Sequence, residues 1–490
     1  MTDLRLPDPP RAARPGSTVP GAVPGLARIV GFLVCVEVAS GVLQGYYTPV
    51  WTDVAGHLGI RDADVHWFEA AQLVVSALLV PLLARLGDLL GHKRVLLLST
   101  AVTALGSWIL ALAPSFTTFL VGFAIQGAYV VWLPMEVAIV YRRTTGSGRR
   151  DQLTRRAAGI LVGALELAVI IGAVTSGALV GATSFTVVLM VPALVVTAAL
   201  VVIWFGIERD PRTSGGRIDL GGLALISLSI GLVMGGLIAI RLQGPGHPAG
   251  WVLILAGLVT TIPFGRYELR QAEPLVDVRL LASPLQWPVQ ATAFLFGMSV
   301  LGAQIPLSTF ARTDPAVAGY GLGASAGFVS MLIGVYVVFL AIGAFTLPVT
   351  TRWLGPRNAL VVSALLVALG YGLWLPFHDS TTQALVNMAI VGVGSGALVA
   401  ALPASAAAGA PADRTAFATG MTNATKTMGG AIASAVFAIA LSSTGSIRDP
   451  VKGHAPLHGY LVVWSVCAVA ALLAALGLLL MPRATVVRED

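Results

Sequence analysis

Fourteen apolar stretches alternate with short polar gaps along the 490 residues: 28–50, 67–86, 94–113, 117–141, 157–180, 185–207, 219–241, 250–267, 287–310, 324–350, 358–376, 381–406, 416–441 and 458–480. A bilayer-crossing helix takes about 20 mostly apolar residues, so the pattern predicts an all-α polytopic membrane protein with fourteen transmembrane helices. The gaps group them. Six stretches run to Ile207, a charged linker covers Glu208 to Arg217, two stretches follow, a second charged linker covers Arg266 to Leu281, and six more stretches come after it. The expected organisation is a tail over 1–27, a six-helix bundle over 28–207, a linker with two additional transmembrane helices over 208–286, a second six-helix bundle over 287–480 and a tail over 481–490.

Charge sets the expected orientation. With a cytoplasmic N-terminus, the cytoplasmic gaps hold 24 of the 30 Lys and Arg residues; the outer gaps hold Arg61, Arg241, Arg312, Arg448 and Lys452, and Lys426 lies inside a helix. That is the positive-inside bias, and it predicts a multi-pass protein of the cytoplasmic (inner) membrane with both termini in the cytoplasm. An odd helix count would put Arg483 and Arg488 outside. Charged residues make up 11% of the chain, against about 25% in soluble proteins. The net charge of +7 then belongs to arginine-rich loops facing anionic lipid. No basic run is interleaved with aromatics, so nucleic acid is not an expected partner.

Other classes of chemistry lack their residues. Cys35 and Cys467 fall in different predicted helices, so no disulfide is expected. Residues 1–25 have no apolar core of the signal-peptide kind, and the first helix reads as its own insertion signal. The seven His residues are scattered without metal-ligand spacing, so no enzyme activity, metal or cofactor is expected. No soluble domain of sensor size is present. The use of 27 Arg against three Lys, with abundant Ala and Gly, implies a GC-rich coding sequence of actinobacterial kind.

Two loops echo one another. Gly87, Asp88, Gly91, Lys93 and Arg94 lie between the second and third stretches, and Thr351 to Arg357 occupies the same place in the second bundle. A glycine turn, with a carboxylate at the inner end of one helix and a basic cluster after it, suits a conformational-switch loop at a bundle interface. Parallel six-helix repeats with the substrate between them are a recurrent transporter plan. The loop resembles the helix 2–3 loop of the major facilitator superfamily. The inserted hairpin, the phrase from Glu273 to Leu281 and the run from Gly420 to Gly430 resemble its fourteen-helix drug:proton antiporter branch, over about residues 28 to 480. The resemblance implies a monomeric secondary transporter that binds a small molecule and protons among membrane lipids. Such a protein alternates between inward-open and outward-open states and exports drugs or natural products.

The chain departs from that branch where coupling chemistry is expected. An Asp nine residues before a Pro becomes Ser40, counted from Pro49. An Arg four residues before the Gly of Gln126-Gly127 becomes Phe123. The helix 5 motif reads Gly172-Ala173 and Ser176-Gly177, without its proline. An acid and a base lost together fit the loss of one paired unit, because a lone buried charge is costly.

A different set of charges replaces them. Glu37 and Glu166 lie about nine residues into the first and fifth helices, which at ~1.5 Å per residue places both roughly 14 Å deep. Two carboxyls at one depth suit proton sharing or a cationic ligand. Glu136 lies nearer the cytoplasmic mouth, and His66 and Glu69 at the outer mouth. Two roles stay open for Lys426: pairing with Glu37 or Glu166, or holding the second bundle together. Tyr46, Tyr47, Gln126, Trp132, Gln304 and Asn423 are candidate cavity residues that combine aromatic faces with neutral hydrogen-bonding groups. The leading expectation is an exporter of an amphipathic compound driven by proton exchange through Glu37 and Glu166. The alternative is an uncoupled facilitator, or a symporter, of a metabolite or lipid.

Overall fold

The computed structural model describes residues 26–144, 150–208, 219–272, 274–411, 414–442 and 455–481, and over these the chain is built from helices. We label them α1 (Leu33–Tyr46), α2 (His66–Leu90), α3 (His92–Ala111), α4 (Phe116–Arg143), α5 (Arg150–Leu179), α6 (Phe185–Gly206), α7 (Leu220–Gln243), α8 (Pro248–Glu268), α9 (Trp287–Arg312), α10 (Ala326–Leu354), α11 (Pro356–Leu373), α12 (Thr381–Ala408), α13 (Thr415–Ala440) and α14 (Leu457–Leu479).

Twelve helices among the described residues are long and apolar enough to cross a membrane, against the fourteen expected. The two stretches that fall short do so for different reasons. The first is broken. Gly31 adopts φ 53°, which only glycine takes without strain, and Pro49 lies in a short 3-10 turn, Thr48–Val50, before the helix resumes at Trp51–Leu58. The other, α13, is a continuous 26-residue helix whose first half carries Thr422, Asn423, Thr425, Lys426 and Thr427. Those polar residues dilute its apolar character.

The packing is doubled. In the first half α1 packs on α5, α3 on α6, and α4 on α2 and α3; in the second, α9 packs on α13, α11 on α14, and α12 on α10 and α11. The equivalent loops match as well. Gly91 ends α2 at φ 95° and Gly355 ends α10 at φ 78°, each followed at once by the next helix. The two halves meet along α2·α13 and α5·α10, while α7 and α8 pair with one another and α7 lies against α13 and α2.

Lipid offers no hydrophobic drive for helix association, so close packing carries it. A Cβ on Gly41 would lie 2.2 Å from the Leu165 carbonyl oxygen, and one on Gly45 would lie 2.1 Å from that of Val169, which brings α1 onto α5. Gly297 and Gly429 play the same part between α9 and α13, where a Cβ would run into the Lys426 and Phe294 carbonyls.

Candidate functional site

We call the end of the molecule bearing the Arg142, Arg143, Arg352 and Arg357 loops the arginine-rich end. Midway along the first half, α1 and α4 bring two carboxyls together. Glu37 and Glu136 are both fully buried, with side chains in direct interaction. Among the described residues no other group donates to any of their four oxygens. Two carboxylates in contact, shielded from water, repel one another with nothing to compensate them; a proton held between them removes the repulsion and supplies the missing donor. The sequence places Glu37 and Glu166 at one depth. In the structure the carboxyl that meets Glu37 is that of Glu136, on the Trp132–Arg143 part of α4 that follows the 3-10 segment Gly127–Val131.

Glu166 on α5 meets a different partner. It lies half-buried and feels the charge of Lys426 on α13, also half-buried, across the two halves. Tyr336 on α10 lies within electrostatic reach of Glu166. Asn423 and Gln304 are half-buried on α13 and α9.

The aromatic and amide candidates of the first half lie in its core. The Tyr46 hydroxyl donates to the Val188 carbonyl at 2.8 Å. Gln126 is fully buried; its Nε2 donates to the Tyr47 hydroxyl at 3.1 Å and to Ser107 Oγ at 2.9 Å, and its Oε1 accepts from Gln72 at 3.2 Å. Trp132 is fully buried and packs edge-on to Tyr129. Phe123, where a family arginine would stand, joins Tyr47, Trp51 and Phe119 in an aromatic cluster. Ser40 is buried and accepts from Gln44 Nε2 at 3.3 Å.

The arginine-poor half joins the two bundles. Ser434 on α13 donates to Glu69 Oε2 on α2 at 2.7 Å, and Ser330 on α10 donates to the Ala173 carbonyl on α5 at 2.7 Å. The Ser308 hydroxyl donates to the Thr48 carbonyl, and Arg312 pairs with Asp53 at 3.0 Å. Ala173 thus contributes its carbonyl where a proline was expected. A Cβ on Gly177 would lie 2.3 Å from Ser330 Oγ, so the altered helix 5 motif still permits close approach. His66, expected beside Glu69 at the outer mouth, is fully buried, and neither ring nitrogen has a partner among the described residues. Tyr129 lies within electrostatic reach of both Glu69 and Glu37. Tyr129, Ser434, Asp53 and Arg312 carried no signal in the sequence, because only the fold brings them to these partners.

In the switch loop, Lys93 is buried and donates to the Trp204 carbonyl at 3.0 Å and to the Ile207 carbonyl, capping the end of α6. Arg94 is exposed beside Leu90. Gly87 leaves room for Met135, whose sulfur would lie 2.8 Å from a Cβ. The side chain of Asp88 lies outside the described residues, as does Glu273.

A doubled all-helical membrane fold whose halves enclose charged residues at their interface defines a transporter rather than an enzyme. The chain belongs to the Major Facilitator Superfamily, whose family model matches residues 33–434. It is 29% identical over 414 residues to a cephamycin export protein of Amycolatopsis lactamdurans, covering 81% of each chain. It is 23% identical over 347 residues to a uridine/deoxyuridine transporter of Lactococcus lactis, covering 65% of this chain and 71% of that one. A triacylglyceride transporter of Mycobacterium tuberculosis is 28% identical over 363 residues, covering 69% and 65%. Among solved structures, an auto-inhibited POT family peptide transporter superposes with a TM-score of 0.65 at 14% identity, over 93% of this chain and 96% of that one. A mutant form of the nucleoside transporter NupG gives 0.61 at 13% identity over 92% and 99%.

Proposed function

We propose that this protein exports an amphipathic drug or natural product across the cytoplasmic membrane by proton antiport, working as a monomer with fourteen membrane-crossing segments and both termini in the cytoplasm. On this reading the first stretch and α13 also cross, because their breaks and polar residues face the transport path rather than lipid. The observation that carries the coupling is the buried Glu37–Glu136 pair between α1 and α4, which among the described residues has no other donor; on this reading it is the proton site. Emptying or filling such a site changes the charge of the first bundle's interior. A ligand or proton moves a conformational equilibrium only by binding its states unequally, and a charged pair needs water access that a protonated one does not. On the same reading the four contacts of the arginine-poor half belong to the outward-closed state of the cycle.

The named activities of the cephamycin exporter and its kin favour export. The second reading, an uncoupled facilitator or a symporter of a metabolite or lipid, draws on Ser40, Phe123 and Ala173 and on the nucleoside and triacylglyceride relatives. Uptake into proteoliposomes separates them, screened over lipophilic cations, antibiotics and lipids with and without an imposed pH gradient. Accumulation that follows the gradient supports antiport, and equal movement with and without it supports the facilitator.

A further inference from the structure

The two inserted helices meet at the arginine-rich end through a second pair of carboxyls. Asp219 precedes α7 and Glu268 ends α8. Each has one oxygen supplied with donors. Asp219 Oδ1 accepts from the Gly222 amide at 2.8 Å and from the Tyr267 hydroxyl at 3.1 Å, and Glu268 Oε2 accepts from the Val276 amide at 3.3 Å. The other two oxygens, Asp219 Oδ2 and Glu268 Oε1, are buried and have no donor among the described residues. They face one space. A Cβ on Gly222 would stand 2.8 Å from the first and 2.1 Å from the second, so the oxygens lie inside the roughly 4–6 Å over which one carboxylate opposes the ionisation of another.

No cation neutralises the pair. Neither carboxyl is in an ion pair among the described residues: Arg266 and Arg270 flank Tyr267 and Glu268 on the chain, Arg279 donates to the Leu269 carbonyl at 2.9 Å, and Asp277 is taken by Arg414. Glu268 is 2% exposed, so water does not serve in their place. The donors present accommodate one negative charge; a second carboxylate against it, out of water, is repelled.

We propose that Asp219 and Glu268 hold one proton between them, and that this proton latches the linker after α8 to the head of α13. The linker hangs from Glu268. Its Oε2 holds Val276; the next residue, Asp277, accepts from the Leu280 amide at 3.1 Å to start the turn Val278–Leu281 and pairs with Arg414, the residue before α13. With the proton present the two carboxyls bind one another and Glu268 stays under Val276. Without it they repel, Glu268 turns away and Val276 loses its acceptor. The inserted hairpin is thereby tied to the second bundle in one protonation state only. The latched form binds the proton more tightly than the released form, so latching is complete at low pH and is lost as pH rises. The proposal goes beyond the transport reading and takes from it only the side of the membrane: with the arginine-rich end in the cytoplasm, the latch responds to cytoplasmic pH.

A spin label at Ala282, exposed just after that turn, reports the latch by its mobility in the full-length protein in detergent, on a Cys35→Ser, Cys467→Ala background. From about pH 5.5 to about pH 8 the mobile-to-immobile ratio should rise, by no more than about tenfold per pH unit, the limit for one proton. Glu268→Gln and Asp219→Asn each put an amide donor where the proton was and should stay immobile across that range. Glu268→Ala, with no acceptor for Val276, should be mobile throughout. A wild type that does not titrate, an amide variant that titrates like the wild type, both amide variants mobile at every pH, or an immobile Glu268→Ala overturns the proposal. So does immobilisation of the wild type at about pH 8 by Ca²⁺ or Mg²⁺, which would make the gap a cation site. The measurement uses no gradient and no substrate, so a latch that titrates while pH-driven accumulation fails removes the coupling reading alone.

Discussion

Replacing Asp53 by Asn should loosen the arginine-poor gate by a predictable amount. Asp53 and Arg312 meet at 3.0 Å, with side chains 25% and 17% exposed, so the pair is worth more than a freely solvated one and less than a buried one. The upper end of the range for partly exposed pairs, about 1 kcal/mol, is the appropriate figure. If the pair forms only while the gate is closed, losing it shifts the open-to-closed ratio about fivefold. Spin labels at Thr183 and Val317, exposed on opposite bundles at that end, would report the shift as a larger long-distance population. A background of Cys35→Ser and Cys467→Ala keeps the labelling specific. The exchanged pair, Asp53→Arg with Arg312→Asp, should restore most of the closed population. An unchanged distance distribution in Asp53→Asn, or an exchange no better than either single change, would refute the gate assignment.

Gly41→Ala forces a methyl to 2.2 Å from the Leu165 carbonyl, so α1 must move off α5; a cost of about 1–3 kcal/mol should appear as a lower Tm in detergent. Arg241 bonds Asp64 at 2.8 Å with both side chains 1% exposed, and Arg61 bonds the same carboxylate. With Arg61 still on that carboxylate, Arg241→Ala should destabilise by about 1.5–3 kcal/mol and reduce folded yield, whereas Arg266→Ala at the other end of the hairpin should not. Ser330→Ala removes one bond to the Ala173 carbonyl, and the same spin labels should show a shift of about two- to thirteenfold, for about 0.5–1.5 kcal/mol.

Much of the fold was legible because lipid makes hydrophobic length and loop charge direct signals. The charged linkers suggested the grouping, and the loops at Gly91 and Gly355, each of which ends a helix at positive φ, suggested the repeat. What the sequence concealed was lateral. Depth along a helix follows from counting residues, and it put Glu37 and Glu166 level; which neighbour each side chain faces depends on rotation about the axis and on how the helices pack. Tyr46, Tyr47, Gln126 and Trp132 read as cavity residues because aromatic and amide groups serve binding and packing equally. Their partners Val188, Ser107 and Gln72 lie on other helices, which no local pattern reveals.

The most direct test of the central claim is proton-driven accumulation in proteoliposomes by the wild type, Glu37→Gln and Glu136→Gln, each compared with its own gradient-free exchange. The account predicts that the wild type accumulates substrate along the pH gradient, and that either change abolishes accumulation while leaving exchange within about twofold, since each removes the shared-proton site without altering Glu166 or Lys426. Undiminished accumulation in both variants would contradict it, and the coupling would then have to lie outside the α1–α4 carboxyl pair.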